Sequence, residues 1–219
     1  MDLLTRWNEL DRHFGAFSGH FQAFISSKPL LTHPLPVTEP EEYFLEGLLS
    51  RVWQAWCEFC RGCVVDSCLG TVTASGTTIV ALPGAASESH VSRAAIQAKK
   101  GQSITWAPPN GLLRVEPTWG DPDVLNTILS KLGPLNSSQM LAAVSSAYDS
   151  AKALQLIRNA AAHQNAQSMA ELTTVQAKYS VFPTPHATHA LFWVAPATGA
   201  FLLSHAIDDL LRQGQAAVT

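Results

Sequence analysis

The chain has 219 residues, of which 47% are hydrophobic and 14% are charged, and its formal net charge at pH 7 is −3. The apolar content suffices for a sizeable core and argues against an intrinsically disordered chain. The slight acidity excludes a protein that coats nucleic acid through bulk positive charge. Because an average globular protein has about 25% charged residues, we expect some of the neutral surface to be covered by a partner.

The N-terminal segment has acids where a secretion signal needs a basic start and an apolar run, so we expect no signal peptide. The longest apolar stretch, 190–203, is too short to span a bilayer and is interrupted by Pro196 and Gly199. The sequence therefore predicts a cytoplasmic protein with no membrane partner.

The first predicted element is a helix over residues 2–27. Its apolar residues alternate by fours and threes, which is the pattern of a heptad seam, and most are aromatic. The seam consists of Leu3, Trp7, Leu10, Phe14, Phe17, Phe21 and Phe24. Such a stripe must be buried by other helices of the chain or by a partner. Prolines between positions 29 and 40 predict a loop after it.

A second helix is predicted from Glu41 to near Gly70. Its apolar face is formed by Phe44, Leu45, Leu48, Leu49, Val52, Trp56, Phe59 and Cys63. All the cysteines, Cys57, Cys60, Cys63 and Cys68, lie on it. Their C-x2-C-x2-C-x4-C spacing resembles a metal or iron–sulfur motif, but the last gap departs from the ferredoxin run. The preferred interpretation is small apolar residues on a packed helix face, with a metal site as the alternative.

Residues 70–120 predict a β-containing insertion. Thr, Val and Ile over 71–82 favour a strand, and 104–106 and 112–115 are candidate partner strands joined by a turn at 108–111. A short helix is predicted at 89–100, between the strands. About 50 residues bury little core alone, so the segment is interpreted as an insertion in one domain spanning 1–219.

Helices resume after residue 121. We predict a short helix at 122–132 and a longer one starting after Asn136, Ser137 and Ser138, which runs to about His163 or breaks just before it. Another helix is predicted at 167–180. A strand-like apolar piece at 190–195 precedes a last helix at 198–213. The fold class is therefore predicted to be mainly α.

The segment ALQLIRNAAAHQN contains Arg158, Asn159 and His163 at the end of a predicted amphipathic helix. Histidine suits general acid–base catalysis because its reference pKa of about 6.5 permits either protonation state. Arginine is a permanently charged donor to phosphate oxygens. Together these residue types suit acid–base chemistry at a phosphate group.

The R-N-x-x-x-H pattern resembles that of the HEPN superfamily (higher eukaryotes and prokaryotes nucleotide-binding domains). The resemblance implies an antiparallel helical bundle and a metal-independent endoribonuclease with no cofactor, acting as a toxin or antiviral defence effector. Arg158 would stabilise the phosphate, His163 would act as base or acid, and Asn159 would orient. The family also implies a homodimer with a composite site, and an antitoxin or immunity partner.

Two features qualify the resemblance. In pairs neutralised by a nucleotidyltransferase, a tyrosine often follows the histidine by two positions, and here that residue is Asn165. Five residues of ideal helix turn about 500°, which leaves Arg158 and His163 roughly 140° apart. Either the helix is interrupted, or the two residues line opposite walls of a groove.

The alternative function is a non-catalytic helical module that binds RNA, nucleotides or a protein. In a purely structural interpretation of the motif, Arg158 and His163 serve only the helix end. His186 and His189 are a further candidate pair for a metal. No carboxylate or cysteine lies close to them in sequence, so no metal site is predicted there.

Overall fold

The computed structural model describes residues 1–28, 36–107, 116–163, 165–182 and 184–219. It is mainly helical with one small antiparallel sheet, which confirms the predicted mainly α class with a β-containing insertion. In chain order the elements are α1 (Leu3–Ser26), α2 (Glu39–Leu69), β1 (Thr71–Val72), β2 (Thr78–Ile79), α3 (Glu88–Lys99), α4 (Pro122–Leu132), α5 (Ser137–Ser146), α6 (Tyr148–His163), α7 (Ala166–Gln176), a 3-10 helix (Ala187–Phe192) and α8 (Leu202–Val218).

The chain groups into two compact units, each built from segments distant in sequence. The first unit comprises Met1–Asp11, Trp56–Tyr148 and Arg212–Thr219. The second comprises Arg12–Ala55 and Asp149–Leu211. The prediction of a single domain stays a prediction.

In the first unit, a partly buried ion-pair network joins α2, α3 and the segment before α4. The Nε and Nη2 atoms of Arg61 donate to the Glu116 carboxylate at 2.8 and 3.0 Å, and Glu88 lies 2.8 Å from Nη2. Trp119 also donates its indole N–H to Glu116 at 3.0 Å. These bonds lower the pKa of Glu116 to about 2, chiefly through Arg61.

The β-containing insertion is a short hairpin in this unit. Thr71 pairs with Ile79 and Val72 with Thr78, so both strands come from the stretch predicted as one. The loop between them places Gly76 at φ 86°, a conformation that favours glycine. The hairpin also holds the C-terminal helix, because the N–H of Ala74 donates to the carbonyl of Val218 at 2.7 Å.

The predicted strand at 104–106 is wrong. Thr105 is held instead by a side chain of α3: its N–H donates to Oε1 of Gln97 at 2.9 Å, and Nε2 of Gln97 donates to its hydroxyl at 2.8 Å. The predicted helix at 89–100 is confirmed by α3. The turn at 108–111, the strand at 112–115 and most of the predicted proline-rich loop lie outside the described residues.

The second unit has an aromatic core at the C-terminal part of α1. Phe21 is fully buried and stacks on Phe192 of the 3-10 helix, with ring centroids 5.5 Å apart, while Phe201 meets it edge-on. Ser150 of α6 donates its hydroxyl to Asp209 of α8 at 2.6 Å. The chain itself therefore covers much of the predicted seam: Leu3, Leu10, Phe14 and Phe21 are buried, and Trp7, Phe17 and Phe24 are half-buried.

The predicted apolar face of α2 is correct except at its start. Phe44 is 42% exposed, although its ring stacks on Phe24 with the centroids 5.7 Å apart. The other predicted members of that face are buried. Thr38 and Glu41 close the N-terminus of α2, since the N–H of Thr38 donates to the Glu41 carboxylate at 2.8 Å.

Two predicted elements in the C-terminal half are wrong in detail. The long helix predicted after residues 136–138 and up to 163 is divided at Ala147 into α5 and α6. In the strand-like piece at 190–195, residues 190–192 are 3-10 helix, whereas Val194 forms isolated antiparallel β-bridges with Ser180 and Phe201. A short apolar run does not distinguish a strand from a buried helix by periodicity.

Candidate functional site

The motif residues lie in the last two turns of α6. The opposite side of this helix is buried through Leu154, Ile157 and Ala160, which anchor it in the second unit. Arg158 and His163 are exposed, and Asn159 is half-buried. The guanidinium Nη1 of Arg158 donates to Oδ1 of Asn159 at 3.2 Å. An anion or another macromolecule can therefore reach the side chains of Arg158 and His163.

The helix is not interrupted between the two residues. α6 continues to His163, so of the two arrangements considered from the sequence, the break within the motif is wrong. On a continuous helix, Arg158 and His163 point roughly 140° apart. Within one copy of the chain they therefore do not share a helix face.

Asn165 stands where the HEPN pattern often has a tyrosine two positions after the histidine. It is the N-cap residue of α7. Its side-chain oxygen accepts from the N–H of Ser168 at 2.9 Å, and the hydroxyl of Ser168 lies 3.3 Å from the N–H of Asn165. This reciprocal pair is a capping box, a recognised stabiliser of helix N-termini. The residue has a structural role that a tyrosine at this position does not supply.

A second cluster of titratable side chains joins two segments that are distant in the sequence. His189 Nε2 lies 3.0 Å from Oε1 of Glu42, and His186 Nε2 lies 3.2 Å from Oε1 of Glu46. Because a carboxylate only accepts, Nε2 of His189 carries the proton and donates it to Glu42. The two imidazole centroids are 6.3 Å apart. We name these four residues the His–Glu cluster.

Local geometry explains why each pair points the same way. Glu42 and Glu46 are four residues apart in α2 and therefore share a helix face. His186 caps the 3-10 helix and His189 follows three residues later, where side chains of such a helix eclipse. Thr188, fully buried, holds the first imidazole through its hydroxyl, 2.8 Å from Nδ1.

The cluster is largely removed from solvent. The side chains of His186 and His189 are 12% and 10% exposed, and those of Glu46 and Glu42 are 33% and 23% exposed. Burial lowers the pKa of His189 from 6.5, against the opposing effect of its bond to Glu42. Sequence reasoning noted the histidines but missed the carboxylates, whose only local signal is the E-x-x-x-E spacing in α2.

The cysteines pack as the sequence indicates. Cys60, Cys63 and Cys68 are buried, Cys57 is half-buried, and none forms a disulfide. Burial raises the pKa of Cys68 to about 12 and also raises those of Cys60 and Cys63, so these thiols stay protonated at neutral pH. In the described ranges, no group of three or more His, Cys, Asp or Glu side chains converges as a preassembled metal site.

No protein-family model matches the chain, and no curated protein or solved structure matches it significantly. Among the described helices, none is long and apolar enough to cross a membrane.

Proposed function

We propose that the protein is a metal-independent endoribonuclease of HEPN type that acts as a homodimer. The observation that carries the proposal is the exposure of both Arg158 and His163 at the end of a helix whose other side is buried. Residues of this kind, accessible but rigidly mounted, are suited to a phosphodiester substrate.

In this proposal His163 takes the proton of the ribose 2′-hydroxyl or protonates the 5′ leaving oxygen. Arg158 stabilises the additional negative charge on the phosphate, where a bidentate guanidinium is most effective. Asn159 orients the guanidinium, in keeping with their 3.2 Å hydrogen bond. The products are a 2′,3′-cyclic phosphate and a free 5′-hydroxyl.

The divergence of the two side chains on one helix is the reason for proposing a dimer. A second copy brings another Arg158 and His163 to the same cleft, so that base, acid and cation meet around one phosphate. We also propose that the protein is cytoplasmic and that an antitoxin or immunity partner restrains it, because an unrestrained ribonuclease damages its own cell.

The test is incubation of the purified protein with total RNA in excess EDTA. Wild type is compared with Arg158→Ala and His163→Ala, and with the matched exposed controls Arg51→Ala and His20→Ala in the same unit. We expect cleavage with 2′,3′-cyclic phosphate ends by the wild type and both controls, and none by the motif variants. Circular dichroism in the same EDTA buffer verifies that every variant is folded.

Sedimentation provides the second arm. We expect the wild type to sediment at twice its chain mass of 23.6 kDa and to lose specific activity on dilution below the dimer dissociation constant. A monomer that cleaves RNA at all dilutions contradicts the composite site. Folded dimers that leave RNA intact contradict the nuclease.

The competing function is a non-catalytic module that binds RNA, a nucleotide or another protein. It is favoured by the position of His163 as the last residue of α6, where a cation interacts well with the helix dipole. RNA binding that weakens in Arg158→Ala, with no cleavage by any variant, identifies this function.

A further inference from the structure

His186 caps the 3-10 helix through a ring nitrogen. Its Nδ1 atom accepts from the backbone N–H of Thr188 at 3.3 Å, and the Thr188 hydroxyl lies 2.8 Å from the same nitrogen. Since a backbone N–H only donates, Nδ1 carries no proton, and the neutral ring carries its proton on Nε2, 3.2 Å from Glu46. The cap therefore exists only while this imidazole is neutral, because both ring nitrogens of a protonated histidine are donors.

We propose that the His–Glu cluster is an acid-sensitive latch, in which protonation of His186 and His189 frees the 3-10 helix (Ala187–Phe192) from α2. At neutral pH the cap and the bond from His189 to Glu42 keep the latch closed. The proposal does not depend on the ribonuclease proposal, since none of these residues belongs to the α6 motif.

Protonation of His186 removes the acceptor of a buried donor. Thr188 is fully buried, so water does not readily replace the lost partner of its backbone N–H. A buried donor without a partner destabilises the conformation that contains it. The Thr188 hydroxyl can rotate to accept from the new Nδ1–H, but the backbone N–H cannot reverse its role. The 3-10 helix therefore loses its cap in acid.

His189 favours opening for a second reason. Its side chain is 10% exposed, and burial lowers its pKa from 6.5 against the opposing effect of Glu42. The ring of His186, whose centroid is 6.3 Å away, lowers this pKa further. In the open segment the ring lies in water and binds the proton more readily, so a fall in pH below 6.5 favours opening.

Glu42 and Glu46 are the charged groups of α2 that face the imidazoles. Each attracts a protonated ring and so opposes opening. Both carboxylates are partly exposed, however, and water screens part of this attraction. Their neighbour Glu41 is engaged by Lys28 at 2.6 Å. The carboxylates therefore set how acidic the medium must become before the latch opens.

Opening uncovers an aromatic surface. Phe192 of the 3-10 helix stacks on Phe21 and Phe24 of α1, with ring centroids 5.5 and 5.9 Å apart. Departure of the segment from α2 loosens these stacks and makes the rings accessible.

The test is hydrogen–deuterium exchange of the full chain between about pH 8 and about pH 5, with rates corrected for their intrinsic pH dependence. We expect the protection of 187–192 to fall by about 10-fold in acid, while that of α4 in the first unit stays constant. His186→Asn/His189→Gln should keep its protection, since asparagine caps and glutamine donates at every pH in this range. The exposed His20→Gln is the matched control and should open as the wild type does.

Three results overturn the proposal. One is constant protection of 187–192 in the folded wild type across this pH range. Another is opening of the double variant at the same pH as the wild type, since a different group then titrates. The third comes from nitrogen NMR of the wild-type histidines, which keeps the test decisive if the variant fails to fold. We expect Nδ1 of His186 to gain its proton as the segment opens, and an Nδ1–H already present at neutral pH contradicts the cap.

Discussion

The end of α6 and the His–Glu cluster place the same residue type in opposite surroundings. His163 is exposed, and the hydrogen bond in its motif joins two adjacent residues, Arg158 and Asn159. His186 and His189 are about nine-tenths buried and bind carboxylates from another helix. In this chain, the accessible histidine has few structural partners, and the histidines with structural partners are inaccessible. A substrate can reach the first histidine, whereas the other two hold segments together.

The largest expected effect concerns the exposed histidine. His163→Ala should reduce RNA cleavage by about 10²–10⁴-fold, since that is the usual contribution of a general acid or base. Its melting temperature should stay within a degree or two of wild type, because an exposed side chain contributes little to stability. Initial rates on a fluorogenic RNA, with differential scanning calorimetry, measure both. A loss of activity matched by a large loss of stability would assign His163 a structural role.

The buried histidine should behave in the opposite way. His189→Ala removes the donor of the largely buried Glu42 carboxylate, so we expect a loss of about 1–3 kcal/mol in the free energy of unfolding. Urea denaturation measures it, with His20→Ala as the control. The second variant His189→Ala/Glu42→Gln should recover part of the loss, since the unpaired charge is gone. Equal stability of His189→Ala and wild type contradicts a structural role for His189.

The half-buried carboxylate of Glu116, paired with Arg61, extends the comparison to the first unit. The folded-state pKa of Glu116 is lowered to about 2, so the unfolded state binds the proton more readily in acid. The stability it contributes is present above an unfolded value of 4.5 and is lost as the pH falls from there towards 2. We expect wild type to exceed Glu116→Gln by about 1–3 kcal/mol at neutral pH and by little near pH 2. Urea midpoints across this range check it, and a constant difference contradicts it.

The smallest expected effect is at the cap that follows the motif. Asn165→Ala removes the capping bond to Ser168 and should cost about 1 kcal/mol of stability, whereas Asn165→Asp should cost little. If α7 also orients the exposed end of α6, cleavage should fall slightly in the alanine variant and recover in the aspartate variant. Calorimetry and initial rates on the same samples measure both. If Asn165→Tyr were more active than wild type, a tyrosine at this position would favour activity more than the cap does.

The helices whose signals lie within a few residues could be predicted from the sequence. The heptad pattern of α1, the acids and apolar face of α2, and the Pro122 start and Gly133 end of α4 each predict an element the structure contains. At Gly133 the backbone adopts φ 60°, which explains why glycine ends this helix. These features depend on side chains within a few residues, so a single sequence carries them. The α6 motif is of the same kind, since all three residues lie within six positions.

Conformations that depend on contacts with residues distant in sequence could not be predicted. The run at 190–195 has apolar residues, but its distant partners decide its conformation: Phe192 packs on Phe21, and Val194 bridges to Ser180. The division at Ala147 was missed because the apolar period continues through it.

Sequence by itself therefore determined the helical class, most helix boundaries and the composition of the α6 motif, because backbone propensity, capping and amphipathic period are short-range effects. Tertiary structure alone decided that Arg158 and His163 are exposed on an unbroken helix while His186 and His189 are buried against Glu46 and Glu42. Burial and charge pairing are set by which segments meet in space, and the chain brings together residues that the sequence keeps far apart.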